Sequence, residues 1–202
     1  VGALNLAKKL TSNIDWSLLG LIKTHKQSSR QPKLELKLSS YPSFSCKQNL
    51  TDNGTEIRIH SDIPSDVVLG IDIGSTSTKA AVIDLDGNVV ADLYRRTSGN
   101  PIDASKQILS NLKKIAGHNP INVKALGTTG SGRKMIGTIL GADRVVNEIT
   151  AHAKGASSTE ENIETIFEIG GQDSKFISMK EGAPHDSNMN YVCAAGTGSF
   201  VE

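Results

Sequence analysis

Residues 68–80, VLGIDIGSTSTKA, place an acid, a glycine and a run of hydroxyls at the end of an apolar segment. A phosphate needs several converging donors, which glycine provides by letting backbone N–H groups approach and serine and threonine provide through their hydroxyls. Asp72 would repel a bare phosphate, but a hydrated magnesium ion between the two removes that conflict. Strand alternation leaves open which way Lys79 points. The predicted phosphate-binding residues of this turn are Gly74, Ser75, Thr76, Ser77, Thr78 and Lys79.

The same strand–turn–strand pattern occurs again at residues 164–179, ETIFEIGGQDSKFISM. One such hairpin is more often only a polar turn, but a second acid–Ile–Gly turn reverses that judgement, because two facing hairpins could clamp a polyphosphate. Glu168 could hold the same magnesium as Asp72, and Gln172 could orient an attacking water. The predicted catalytic residues are therefore Asp72, Glu168 and Gln172, and the second set of phosphate contacts is Gly170, Gly171, Gln172 and Asp173.

Composition narrows the class of protein. The 202 residues include 22 Lys and Arg against 21 Asp and Glu, so no charge excess points to nucleic acid or to an anionic membrane. No apolar run approaches the roughly 20 residues that span a bilayer, and the N-terminus lacks the apolar core of a secretion signal. Two cysteines, Cys46 and Cys193, are too few for a disulfide scaffold or a zinc site. We expect a cytoplasmic protein.

The order of elements predicts an α/β fold. Residues 25–65 are rich in serine, lysine and turn formers, which is typical of a linker, with one short strand near residues 56–60. The domain then begins at Asp66 and continues to Glu202. Before the second hairpin, the patterns predict strands over 66–74, 77–85, 88–96, 123–129 and 144–149, and helices over 101–117, 133–140 and 151–158.

Five segments, in this order, resemble the activator ATPases of 2-hydroxyacyl-CoA dehydratases and the related benzoyl-CoA reductase ATPase subunits, the BadF/BadG/BcrA/BcrD type. They are GIDIGSTSTKA (70–80), TTGSGR (128–133), NEITAHAKGA (147–156), EIGGQDSKF (168–176) and NMNYVCAAGTGSFVE (188–202). The resemblance implies the ribonuclease H-like fold of actin, Hsp70 and hexokinase, here mainly its first subdomain, a mixed sheet flanked by helices. It also implies ATP or ADP and Mg²⁺ as ligands.

The resemblance further implies a cofactor and partners. Family members are homodimers that hold one four-iron four-sulfur cluster with two cysteines from each subunit, and ATP hydrolysis drives a low-potential electron into a CoA-ester dehydratase or reductase component. Cys193 matches one ligand, and its place before a predicted helix suits a thiolate. Ala151 stands where small activators have the second cysteine, and Cys46 lies in the predicted linker. Cluster binding by this chain is therefore an open expectation.

Long relatives carry two such modules in tandem, which makes residues 1–24 the expected tail of a preceding module and favours a dimer or a tandem-module pair. The adenosine motif of the family is expected beyond Glu202, so we expect this segment alone to turn ATP over slowly or not at all. Two alternatives stay open within this fold. One is a phosphotransferase like the sugar and acetate kinases, and the other is a regulatory module without turnover.

Four other residues or pairs attract attention. Glu148 and His152, four residues apart on a helix, more often form a solvated face than a catalytic pair. Arg133 could equally meet a phosphate or open its helix. We expect His185 to be exposed in a loop and Trp16 to pack in the core of a module end.

Overall fold

A seven-stranded mixed sheet is the largest element of the structure, a computed structural model that describes residues 46–117, 120–160, 162–171 and 173–190. Its strands are β1 (Gln48–Asp52), β2 (Thr55–Ile59), β3 (Asp66–Ile73), β4 (Ser77–Ile83), β5 (Val89–Arg96), β6 (Asn122–Thr129) and β7 (Arg144–Val145), in the order β1-β2-β5-β4-β3-β6-β7. β3, β6 and β7 are parallel, and the remaining pairs are antiparallel. The first catalytic candidate, Asp72, thus lies on a central strand.

Among the described residues, three helices accompany the sheets: α1 (Pro101–Ile115), α2 (Arg133–Leu140) and α3 (Glu148–Thr159). α1 links β5 to β6 and buries Ile108 and Leu112 against the larger sheet. Parallel strands need such a crossover, and α1 provides the connection that lets β6 run parallel to β3. A mixed sheet flanked by helices was predicted, and the structure confirms it.

A second, antiparallel sheet contains β8 (Thr165–Ile169), β9 (Ser174–Lys180) and β10 (Ala183–Met189), in the order β10-β9-β8. Helix α3 packs on this sheet, where Ala153 meets the buried Ile177 and Met179. Because side chains alternate along a strand, Lys175 shares the buried face of β9 with Ile177 and Met179. The sheet therefore turns one lysine toward the helix.

Two predictions about local structure need correction. The strand predicted over residues 144–149 is only β7, because the Asn147 side chain accepts a hydrogen bond from the Ile149 N–H at 2.8 Å and starts α3 there. His185 is exposed as predicted, but it lies in β10 and not in a loop, at a register shift between Pro184 and Asp186.

The predicted linker also contains more structure than expected. β1 and β2 form a hairpin whose second strand pairs with β5, so residues 48–59 extend the larger sheet. Arg95 of β5 donates to the Asn53 carbonyl and to the Thr55 hydroxyl, which holds the turn of this hairpin. The predicted module tail, residues 1–24, and Trp16 within it lie outside the described residues. In the part of the chain that is described, no helix is long and apolar enough to cross a membrane.

Candidate functional site

The turns of the two predicted hairpins meet at one cleft. Its volume is about 100 Å³, below the roughly 300–1,000 Å³ of sites that enclose a drug-sized ligand. A phosphate group matches this space better than a whole nucleotide does. The lining residues are Asp72, Gly74, Ser75, Thr76, Ser77, Lys79, Ser131, Glu148, His152, Glu168, Gly170, Gly171 and Asp173.

A tight turn shapes the first hairpin. The Gly74 N–H donates to the Ser77 carbonyl at 2.9 Å, and a Cβ on Gly74 would lie 2.8 Å from that same oxygen. The Thr97 hydroxyl donates to the Gly74 carbonyl at 2.8 Å and holds the turn from the β5 side. With the backbone fixed in this way, Ser75 to Ser77 line the cleft. Their contact with phosphate stays a prediction.

The next two residues lie on opposite faces of β4. Thr78 is fully buried, and its hydroxyl is 2.9 Å from that of Thr97, so the structure places this predicted phosphate ligand in the core and outside the cleft. Lys79 faces the cleft, with its Nζ 3.7 Å from Oδ2 of Asp72, its cross-strand partner. The sequence left open which way Lys79 points, and in the structure it points into the cleft.

Asp72 lies one residue before the end of β3, and its carboxylate is partly buried. Burial raises the pKa of this carboxyl above its ordinary value, while the nearby Lys79 ammonium lowers it and the Glu148 carboxylate raises it again. A divalent cation at this carboxylate would favour its ionised form. The charge and the chemistry of Asp72 therefore fit magnesium.

A glycine turn after β6 presses against Asp72. Gly130 has φ +83°, and a Cβ there would lie 2.4 Å from Oδ1 of Asp72 and 2.6 Å from the Ile73 carbonyl. Arg133 donates from Nη1 to the Gly130 carbonyl at 2.8 Å. Of the two roles considered for Arg133, the structure favours the one at the start of α2, since Arg133 holds this turn and does not line the cleft.

The second hairpin closes the other side of the cleft. The Gly170 N–H donates to the Asp173 carbonyl at 2.8 Å. Gly171 lies directly against the first hairpin, because a Cβ there would be 2.7 Å from Oγ1 and 2.8 Å from Cβ of Thr76. Gln172, the predicted water-orienting residue, lies outside the described residues. The two repeated turns therefore touch.

Lys175 is the site residue that the sequence interpretation missed. Its Nζ lies 2.8 Å from Glu168, 2.8 Å from Asp173 and 3.0 Å from Glu148, and its side chain is only 2% exposed. Burial by itself would lower the pKa of Lys175, but the hydrogen bonds to the three carboxylates outweigh burial and raise it. The alternation of Lys175 with Ile177 and Met179 was the available sequence signal.

Glu148 and His152 do not form the solvated helix face that was predicted. Both line the cleft and are about two-thirds buried, with Oε1 of Glu148 3.7 Å from Nε2 of His152. The interaction with His152 and the contact with Lys175 overcome the effect of burial and lower the pKa of Glu148 to about 2. The nearby Glu148 carboxylate in turn raises the pKa of His152. The pair is thus an ion pair at the cleft.

The described residues offer possible ligands for a metal ion and for an iron–sulfur cluster to different extents. Ligand atoms of Glu148, His152 and Glu168 lie within 4.8 Å of one another, but Lys175 already contacts two of these residues. For an iron–sulfur cluster, the described residues include one cysteine, Cys46, which cannot supply a ligand set. Cys193 lies outside the described residues. The carboxylate of Asp72 suits magnesium, whereas Glu168 as a second magnesium ligand and Cys193 as a cluster ligand stay predictions.

The Glu148–His152 pair predicts a pH dependence of stability. The Glu148 carboxyl, with a folded-state pKa of about 2 against an ordinary 4.5, stabilises the fold fully above pH 4.5 and loses this effect as pH falls toward 2. His152, whose pKa is raised above 6.5, stabilises fully below pH 6.5 and loses this as pH rises through the folded-state value. Glu148→Gln should therefore lower the free energy of unfolding most between pH 4.5 and pH 6.5. The expected loss is about 1 kcal/mol, because the pair is partly exposed.

Urea unfolding at a series of pH values measures this difference. Glu56→Gln, an exposed glutamate on β2, is the matched control and should change stability little at any pH. A pH-independent loss in Glu148→Gln would show that the carboxylate acts through Lys175 or through packing and not through the imidazole.

Comparisons with known proteins agree with this geometry. The sequence profile described as the BadF/BadG/BcrA/BcrD ATPase family matches residues 69–202. The chain is 34% identical over 134 residues to the (R)-2-hydroxyglutaryl-CoA dehydratase activating ATPase of Acidaminococcus fermentans, covering 66% of this chain and 50% of that protein. It is 37% identical over 139 residues to an uncharacterized protein of Methanocaldococcus jannaschii, covering 67% and 33%.

Solved structures give the same result. The activator of 2-hydroxyisocaproyl-CoA dehydratase from Clostridium difficile, with bound ADPNP, superposes with a TM-score of 0.60 at 32% identity and covers 67% of this chain and 49% of that one. Component A of the A. fermentans dehydratase superposes with a TM-score of 0.55, also at 32% identity, and covers 68% and 52%. The chain spans about half the length of these activators. The predicted fold class is confirmed, and the chain belongs to the BadF/BadG/BcrA/BcrD ATPase family.

Proposed function

We propose that this chain carries the phosphate-binding part of an ATPase that activates a CoA-ester dehydratase. The contact between Gly171 and Thr76 is the observation that supports this most directly, because it brings the two acid–Ile–Gly turns together at one cleft. A cleft of about 100 Å³ lined by hydroxyls and glycines suits phosphate groups. The activators that match the chain are the relatives for which this activity is named.

The hydroxyls of Ser75 to Ser77 and the ammonium of Lys79 would contact phosphate oxygens on one side. The glycine turn at residues 170 and 171 would let the phosphates approach closely on the other. Four carboxylates also line the cleft, and bare polyphosphate would be repelled by them. Asp72 and Glu168 would hold magnesium, which neutralises the phosphate charge when bound. Thr78 is left out of this set because its hydroxyl lies in the core.

Hydrolysis in such a site would depend on orientation and electrostatics more than on a strong base. Glu148 has a pKa of about 2, so near neutral pH it is a hydrogen-bond acceptor and a poor proton acceptor. Orientation of the attacking water by Gln172 stays a prediction. The energetic contribution of the described residues is the fixed array of donors around the phosphates.

The finer part of the proposal concerns the whole protein. There, ATP hydrolysis would drive electron delivery to the dehydratase in a dimer or tandem-module pair in the cytoplasm. Since Ala151 occupies the expected second cysteine position and Cys46 is the single thiol among the described residues, we derive no step through a cluster. Cys193 stays a predicted ligand.

Replacing Asp72 by asparagine tests the magnesium–phosphate assignment. We expect the affinity for Mg²⁺·ADPNP to fall about tenfold, or ~1.4 kcal/mol, because one carboxylate ligand is lost. Binding of ADPNP in EDTA should instead rise, because a negative charge that repels the phosphates is removed. Isothermal titration calorimetry with and without Mg²⁺ measures both changes.

Asp86→Asn is the matched control, because Asp86 lies in the exposed β4–β5 turn. Equal losses in Mg²⁺ and in EDTA for Asp72→Asn would contradict the assignment. Phosphate release by the unaltered chain and by a chain extended through the rest of the family domain then separates a slow ATPase from a module without turnover.

A further inference from the structure

We propose that Lys175 is a positioning residue whose buried ammonium group joins helix α3 to the β8–β9 hairpin and fixes the carboxylates of Glu148, Glu168 and Asp173 at the cleft. No comparison assigns this role. Its effect on nucleotide binding rests on the proposed function, whereas its effect on the carboxylates does not.

The geometry comes from three separate elements. Glu168 is the cross-strand partner of Lys175 on β8, and Asp173 immediately precedes β9. Glu148 reaches the same Nζ from the first turn of α3. An ammonium has three donors, and here the three contacts of 2.8, 2.8 and 3.0 Å each go to a different carboxylate. One cation therefore sets the relative positions of three acids.

The charges around Lys175 explain why it matters. Facing it are Glu148 and His152 from α3, Glu168 from β8 and Asp173 ahead of β9, while β10 places the uncharged Met189 opposite. Asp72 and Lys79 complete the charges of the cleft. A buried ammonium is tolerated only when its charge is matched, and here three carboxylates match it. Without the lysine those carboxylates would repel one another.

Carboxylates brought together without a cation repel one another. Lys175→Met should therefore loosen the link between α3 and the β8–β9 hairpin and shift the carboxylates at the cleft. We expect the affinity for Mg²⁺·ADPNP to fall about tenfold in Lys175→Met and to be restored in Lys175→Arg, which keeps the charge and the donors. A lysine that only fills space would leave the affinity of Lys175→Met unchanged.

Amide hydrogen exchange tests the first expectation without any nucleotide. In Lys175→Met, exchange should become faster both in the first turn of α3 and in the β8–β9 hairpin, because the ammonium no longer joins them. Lys175→Arg should restore the protection. Lys180→Met, an exposed lysine on the same strand, is the matched control. Unchanged exchange in Lys175→Met would overturn the proposal.

Failure of the proposed function gives a different result. If the unaltered chain does not bind Mg²⁺·ADPNP but the amide exchange rates behave as expected, the role of Lys175 stands and the ATPase assignment falls. If Lys175→Met does not fold, Lys175→Gln takes its place. If neither folds, the ammonium ¹H–¹⁵N spectrum of the unaltered chain should show one protected resonance that Lys175→Arg removes, and its absence would overturn the proposal.

Discussion

Gly130→Ala is expected to destabilise the chain by about 3 kcal/mol, of which about 1–2 comes from the left-handed backbone and the rest from overpacking. At φ +83°, a Cβ at Gly130 would lie 2.4 Å from Oδ1 of Asp72 and 2.6 Å from the Ile73 carbonyl. One of these atoms is backbone, so a side-chain rotation cannot relieve both contacts. The carboxylate of Asp72 should move, and binding of Mg²⁺·ADPNP should fall with it.

Gly141→Ala separates the two causes. Gly141 ends α2 with φ +65°, but a Cβ there would have no atom within 4 Å. The variant should therefore lose only the conformational part, about 1–2 kcal/mol, and keep its affinity. Urea unfolding and calorimetry of both variants measure the difference. Equal losses of stability, or unchanged nucleotide affinity in Gly130→Ala, would show that the steric contact with Asp72 is not what requires glycine.

The sequence was sufficient for the two hairpins because their signal is local. Alternation defines β3, β4, β8 and β9, and each acid–Ile–Gly turn follows from adjacent residues. The burial of Thr78 was also available from this alternation, since it shares a face with Ala80 and Val82. The prediction treated Gly74 to Thr78 as one continuous set of donors. It did not take into account that successive side chains of a strand point to opposite faces.

Other parts of the site could not be predicted from local patterns. The carboxylate of Glu148 reaches Lys175 only because α3 packs on the second sheet. A pair four residues apart on a helix does not show which side faces a cleft. Strand β2 was predicted near residues 56–60, but β1 was missed for a related reason: β1 is an edge strand that is exposed along most of its length, so it lacks the buried alternation that marks a strand.

Gly171→Val is expected to lower the affinity for Mg²⁺·ADPNP by about tenfold or more while changing stability by less than about 1 kcal/mol, since the residue lies on a surface turn. A Cβ at Gly171 would meet Oγ1, Cβ and Cγ2 of Thr76 at 2.7, 2.8 and 3.0 Å. The side chain must therefore move the two hairpins apart, and their donors would no longer converge. Calorimetric titration and urea unfolding measure the two effects separately.

A double-mutant cycle with Thr76→Gly decides whether this contact is the cause. Gly171→Ala alone should weaken binding, but in the Thr76→Gly background it should cost little further affinity, because the atoms it would meet are gone. Gly155→Ala in α3, where a Cβ would have no neighbour within 4 Å, controls for the change of residue. Additive losses in the cycle would mean that the hairpins do not need to touch, and binding would then depend on each turn separately.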